Sequence, residues 1–299
     1  MPQAATFTDA HGVAVTYHRW DPSGSPRAVV LIAHGASEYG ARYDRFASFL
    51  TSNGFVAYAQ DHRGHGETGK ANGVGITGPG GWDAIVEDQL EMVRLARADH
   101  PGLKVALFAH SMGSMMAQRF VQLHGDEIDA LVLSGSLGSL DGLDGIIEML
   151  APAVAEAGDS PFPLSGGFNE QFSEKRTDYD WLSRDQAEVD KYIADPFCGD
   201  NNPLTLRFAL EMMQLLQTTW KPENEANVPD IPTLFITGAL DPVGQNGATV
   251  RDLEARYKAA GVTDLTALYY PEARHELLNE TNRDDVQNDV LGWLNRVVG

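Results

Sequence analysis

Short, nearly unbroken apolar runs alternate with helix-spaced apolar positions over the first 140 residues of this 299-residue chain. Residues 28–33 (AVVLIA), 55–60 (FVAYAQ), 104–109 (KVALFA) and 130–134 (ALVLS) are short and run into Gly, His, Asp or Ser, which predicts strands buried on both faces of a parallel sheet. Residues 13–20 alternate instead, as a half-buried antiparallel strand does. Between the runs, 43–53 and 82–99 carry apolar residues at helical spacing, with Asn53-Gly54 and Asp99-His100-Pro101-Gly102 as stop signals. Strand following helix in this order predicts one sheet covered by helices on both faces.

The alternation breaks at about residue 140, where Gly, Pro and Asp punctuate helical pieces without a clear buried strand. It resumes at 233–237 (TLFIT) and 266–270 (TALYY), separated by a helical pattern at 248–260. The expected organisation is a core domain made of 1–140 and 229–299, with a mainly helical cap, 141–228, inserted between the sixth and seventh core strands. There is no internal repeat and no low-complexity tract.

Composition then narrows the function classes. A hydrophobic content of 43% supplies a sizeable core. The 22 Lys and Arg against 42 Asp and Glu leave a formal net charge of -20, which repels a phosphate backbone or an anionic membrane. That argues against nucleic-acid binding; the acidity itself fits either salt adaptation or simply a well-solvated surface. Cys198, the single cysteine, excludes an intramolecular disulfide and a thiolate metal cluster, and reads as a buried structural thiol. The beginning, MPQAATFTDAHG, has neither a charged nor an apolar leader region, and no run nears the roughly 18 apolar residues of a membrane span. The expectation is an uncleaved cytoplasmic protein without stable membrane insertion.

Groups that do chemistry on open parallel sheets gather beyond the carboxyl ends of the strands. Those ends here offer His34-Gly35-Ala36, Asp61-His62, His110-Ser111-Met112, Asp241 and His275. Ala109-His110-Ser111-Met112-Gly113 is a G-x-S-x-G turn with alanine in place of its first glycine, set between a strand and a helical pattern. Taken alone, Ser111 is either a nucleophile or a helix N-cap. The rest of a triad follows such a serine in the order acid, then histidine. Of the nine histidines only His124 and His275 lie beyond Ser111, and no acid-bearing strand end separates His124 from it. His275 is therefore the expected base, and Asp241, at the preceding strand end, the expected acid. The backbone N–H groups of Met112 and Ala36 are the expected oxyanion donors. His34 stands too early in the chain to be the base and reads as a loop-ordering residue.

These motifs resemble the α/β-hydrolase superfamily and, within it, the monoacylglycerol lipase and lysophospholipase group. The carriers are HGASEYGARY (34–43), AQDHRGHGET (59–68), AHSMGS (109–114), ITGALDPVG (236–244) and PEARHELLNE (271–280). The resemblance implies a mostly parallel eight-stranded sheet, the triad Ser111, Asp241 and His275, and an oxyanion hole at Ala36 and Met112. It implies hydrolysis of a small-molecule acyl ester through an acyl-enzyme, with no metal or organic cofactor. Ser37, Tyr39, Gly40 and Ala41 depart from the group's HGxGEHSGRY pattern, whereas Glu38, Arg42 and Tyr43 keep it. Glu38 or Arg42 then either contacts the alcohol part of a substrate or forms an ion pair that pins the loop. Asp61 and His65 match a loop with a structural role.

Within the cap, residues 203–216 are apolar around most of a helix, more than one buried face requires. Either this helix packs against the core, or one side lines an acyl pocket with Met212 and Met213 as adaptable walls. Ile146, Ile147, Met149 and Leu150 could serve either arrangement. Peptidase and thioesterase activities use the same triad and stay open as alternatives, as does a non-catalytic ligand-binding protein on the same fold. Oligomeric state is not legible.

Overall fold

A computed structural model describes residues 2–162 and 167–299, so residues 163–166 of the expected cap lie outside it. The chain runs β1 (Gln3–Thr8), β2 (Ala14–Trp20), β3 (Ala28–Ala33), α1 (Asp44–Ser52), β4 (Phe55–Gln60), α2 (Gly66–Asn72), α3 (Gly81–Asp99), β5 (Val105–His110), α4 (Met112–His124) and β6 (Ala130–Ser134). Four helices follow, α5 (Leu143–Ala157), α6 (Gln186–Ala194), α7 (Leu206–Thr219) and α8 (Pro222–Glu225). The core then resumes with β7 (Thr233–Gly238), α9 (Ala248–Ala260), β8 (Leu265–Tyr270) and α10 (Arg283–Val297).

All eight strands form one sheet in the order β1-β2-β4-β3-β5-β6-β7-β8. β3 to β8 are parallel, while β2 pairs antiparallel with both β1 and β4. The sequence pattern explains the difference. β3, β4, β5, β6 and β7 are buried at every position, as strands covered on both faces must be. One face packs on α3, α4 and α9 through Ile85, Val93, Phe120 and Leu253. The other packs on α1 and α10 through Phe46, Leu50, Val286 and Trp293.

Two elements were not foreseen. β1 is exposed at all but one position, so it carries no burial-driven pattern and is held by pairing with β2. α2 contains Gly66 and Gly69, poor helix formers, and Asp61 supports its start by accepting from the Glu67 N–H at 2.9 Å.

α7 is apolar on two sides because it has two partners. Phe208, Met212, Leu215 and Leu216 enter the main core, whereas Leu210, with Met213 against it, meets Leu150 and Val154 of α5. Its start is capped by the Thr205 hydroxyl, which accepts from the Phe208 N–H at 3.2 Å. Among the described residues no helix is long and apolar enough to cross a membrane.

Candidate active site

The carboxyl ends of β3, β5, β7 and β8 lie along one edge of the sheet, with β6 between β5 and β7, and each delivers one part of the site. β5 delivers Ser111 on a sharp turn into α4, with φ 51° and ψ −120°. A non-glycine residue held there carries strain of about 1–3 kcal/mol, which the surroundings must over-determine. They do so through the backbone: the Ser111 N–H donates to Ser134 O at 2.9 Å, and its carbonyl accepts from the N–H groups of Ser114 and Met115. Gly113 is obligatory because a Cβ there would stand 2.5 Å from Ala33 O and 2.6 Å from His34 O. Ala109 is buried in the sheet, where its methyl is accommodated.

Ser111 holds the N-cap position of α4, yet its side chain makes no capping bond. Its Oγ instead lies 2.8 Å from Nε2 of His275, whose Nδ1 is 3.0 Å from both carboxylate oxygens of Asp241. Asp241 is fully buried, and its Oδ1 also accepts from the Val243 N–H at 2.9 Å. The carboxylate fixes the proton of His275 on Nδ1, leaving Nε2 free to accept one from the serine hydroxyl. Burial pulls the His275 pKa down, but the adjacent Asp241 charge and hydrogen bond, with Glu276 and Glu38 behind them, hold it above the ordinary imidazole value. The three residues singled out in the sequence therefore meet in one hydrogen-bonded chain.

Ala36 and Met112 flank Ser111 in the same cavity, and among the described residues neither backbone N–H has an acceptor. The loop after β3 is shaped for this by its glycine, since a Cβ on Gly35 would stand 2.8 Å from Glu38 and 3.1 Å from the Ser111 Cβ. His34 orders the loop from within: its Nδ1–H donates to Gly35 O at 2.7 Å while Nε2 accepts from the His62 N–H at 2.9 Å. Burial pulls its pKa down, in keeping with this neutral form.

Glu38 accepts from the Gly35 N–H (2.5 Å), the Tyr43 hydroxyl (2.8 Å) and Arg42 (2.7 Å). Arg42 reaches on to both carboxylate oxygens of Glu276, so one guanidinium ties the loop after β3 to the residue beside His275. Burial raises the Glu38 pKa, but the charge and hydrogen bond of Arg42 more than offset it and hold the carboxyl at about 2. Glu38 borders the cavity with Ser111, whereas Arg42 stands behind it on a smaller cleft. Asp61 receives the Gly40 N–H at 2.8 Å and His18 at 3.2 Å, and His65 faces Phe208; both are structural supports.

Above Ser111 opens a cavity of about 390 Å³. Met112, Met115, Leu137, Leu140, Met212 and Met213 are among its apolar lining, and Glu38, His110 and Glu276 among its polar lining. Ile146, Ile147 and Leu150 pack within the α5–α7 cluster, and Met149 is 68% exposed, so this group stands apart from the cavity wall.

A hydroxyl, an imidazole and a buried carboxylate in line, beside two free amides and an apolar cavity, constitute the equipment for acyl transfer. The family model described as serine aminopeptidase, S33, matches residues 24–282. The chain belongs to this family of α/β-hydrolases. It is accordingly a serine hydrolase, and several relatives match nearly its whole length. A monoacylglycerol lipase of Mycolicibacterium smegmatis is 30% identical over 293 residues, covering 97% of this chain and 95% of that one. The human monoglyceride lipase is 27% identical over 304 residues, covering 98% and 91%. A thermostable carboxyl esterase from Bacillus coagulans, solved in complex with glycerol, superposes on this S33 hydrolase with a TM-score of 0.92 at 28% identity, covering 100% and 99%.

Beside His275, Glu276 and Trp181 were missed in the sequence, as were Met115, Leu137 and Leu140 on the cavity wall. Glu276 follows the histidine directly, and that adjacency was its only signal. Trp181, in a short 3-10 turn (Asp180–Leu182) between α5 and α6, lies against His275 with ring centroids 5.1 Å apart; nothing local announced it.

Proposed function

We propose that this serine ester hydrolase cleaves glycerol monoesters and related small acyl esters, with Ser111 as nucleophile, His275 as shuttling base and Asp241 as the acid that orients it. The observation that carries the reading is the unbroken hydrogen-bonded chain from Ser111 Oγ through His275 to Asp241. Ser111 attacks the ester carbonyl as His275 Nε2 takes its proton. The negative charge that develops on the carbonyl oxygen falls to the amides of Ala36 and Met112, a contribution of roughly 3 kcal/mol per donor. His275 then returns the proton to the leaving alcohol. Water, deprotonated by the same imidazole, clears the acyl-enzyme.

In this proposal the α5–α8 segment, 141–228, acts as a cap, and Met212 and Met213 bound the acyl chain. A cavity of about 390 Å³ with a thioether-rich wall suits a flexible aliphatic chain. The names of the M. smegmatis and human relatives and the glycerol complex of the B. coagulans esterase support glycerol as the alcohol. Cytoplasmic location belongs to the same proposal; the one cysteine, buried and free, is at home in a reducing compartment.

Amide cleavage is the competing reading, favoured by the aminopeptidase description of the family model. Rates for an ester, a thioester and an amide of one acyl chain decide between them. The proposal expects the glycerol ester to lead by kcat/KM, and a leading amide would replace it with a peptidase.

A further inference from the structure

Trp181 belongs to the cap yet is built into the catalytic end of the core. Its carbonyl accepts from the His275 N–H at 3.4 Å, and the next carbonyl, of Leu182, accepts from the Glu276 N–H at 2.8 Å. Its own N–H donates to Asn169 Oδ1 at 2.7 Å, and Phe168 packs on its ring with centroids 4.7 Å apart. At 4% exposure the indole is fixed in place, and it walls the same cavity as Ser111.

Its location selects which part of a substrate it meets. His275 must return a proton to the leaving oxygen, so the alcohol of an ester lies among the groups around that imidazole. On the cavity wall these are Trp181 and His110, whose rings lie 5.1 and 4.8 Å from the imidazole, with Glu276 next to it in the chain and Glu38 close enough to raise its pKa. Glu38 and Glu276 share Arg42 as their cation, which leaves one net negative charge on these three groups, beside that of Asp241. Carboxylate oxygens accept hydrogen bonds from hydroxyl groups, whereas a phosphodiester brings acceptors and a like charge.

We propose that Trp181 sets the alcohol specificity of the enzyme: its ring closes the leaving-group end of the cavity to bulky alcohols and, with Glu38 and Glu276, excludes phosphodiester head groups in favour of a compact polyol such as glycerol. This inference rests on the ester-hydrolase reading of the same site. It makes glycerol monoesters, and not lysophospholipids, the substrate class.

The test compares three esters of one acyl chain: the glycerol monoester, lysophosphatidylcholine and a neutral ester of a bulky alcohol. The native enzyme is expected to favour the glycerol ester over the bulky neutral ester by roughly tenfold in kcat/KM, and over the lysophospholipid by more. Trp181→Ala should raise the bulky ester relative to the glycerol ester by about tenfold, through KM and kcat together, and raise the lysophospholipid less because the carboxylates remain. Trp181→Phe should keep the native order. Labelling of Ser111 by a small fluorophosphonate at the native rate shows that a variant is folded, and Trp181→Leu replaces the alanine variant if it is not. Equal use of all three esters by the native enzyme, or an equal fall for all three in Trp181→Ala, overturns the proposal. Hydrolysis of none of them by the native enzyme overturns the ester-hydrolase reading itself.

Discussion

The Nε2 of His275 lies 2.8 Å from the Oγ of Ser111, across 164 residues of sequence. That one distance joins the end of β8 to the turn after β5 and makes the base and the proposed nucleophile a single unit. The imidazole is also flanked by His110, with ring centroids 4.8 Å apart, and burial together with the nearby His275 pulls the His110 pKa down to about 4. His110 therefore stays neutral while His275 works.

Ester hydrolysis should fall as pH drops through the His275 pKa, because the base has to be neutral. Burial lowers that pKa, and Asp241 more than offsets the effect, so the acid limb of kcat/KM is expected above 6.5. Asp241→Asn removes the charge: the limb should move to lower pH, and kcat should fall by about 10⁴-fold as the imidazole loses its orienting partner. A limb unmoved in the variant would assign it to another group.

Glu38 should act on stability in a definite pH window. Its carboxyl is held at about 2 in the folded protein against an ordinary 4.5. A depressed carboxyl stabilises the fold above its unfolded value and loses that contribution as pH falls through the folded one. Glu38→Gln is expected to lower stability at pH 7, because Arg42, Tyr43 and the Gly35 N–H lose a charged acceptor while Arg42 keeps Glu276. Urea unfolding of both proteins should show the gap narrowing between pH 4.5 and pH 2.

The two ends of the serine turn should respond differently to substitution. Gly113→Ala drives a methyl into the carbonyls of Ala33 and His34. Displacing that loop moves the Ala36 amide, and kcat is expected to drop by about 10²–10³-fold. Ala109→Gly restores the commoner motif residue and should leave kcat near native while costing about 1 kcal/mol of stability, as glycine does inside a strand. Steady-state kinetics beside thermal unfolding separates the two effects.

Acyl length should be set by the α7 wall. Met213→Trp is expected to lower kcat/KM for long acyl chains by roughly tenfold or more and to spare short ones. A series of glycerol monoesters of increasing chain length reads this directly, and a parallel fall at every length would remove Met213 from the acyl site.

Much of this was legible in the sequence for a physical reason. Strands buried on both faces have to be apolar throughout, so the runs that became β3 to β7 stood out, and their carboxyl ends exposed Ser111 and Asp241. β1 was silent because an exposed edge strand has no face to hide. The remaining gaps concern pairings across long sequence distances. Arg42 binds Glu276 over 234 residues, and local pattern left its role open between substrate contact and loop pin. Trp181 reaches His275 only through the path of the chain between α5 and α6, which no local periodicity encodes.

The central claim is a covalent acyl-enzyme on Ser111. Trapping the protein with an acyl ester or a fluorophosphonate and mapping the modified peptide by mass spectrometry tests it directly. The adduct is expected on Ser111, absent from Ser111→Ala, with the variant's ester hydrolysis reduced by about 10⁶-fold. An adduct on a different residue, or near-native turnover by Ser111→Ala, would contradict it.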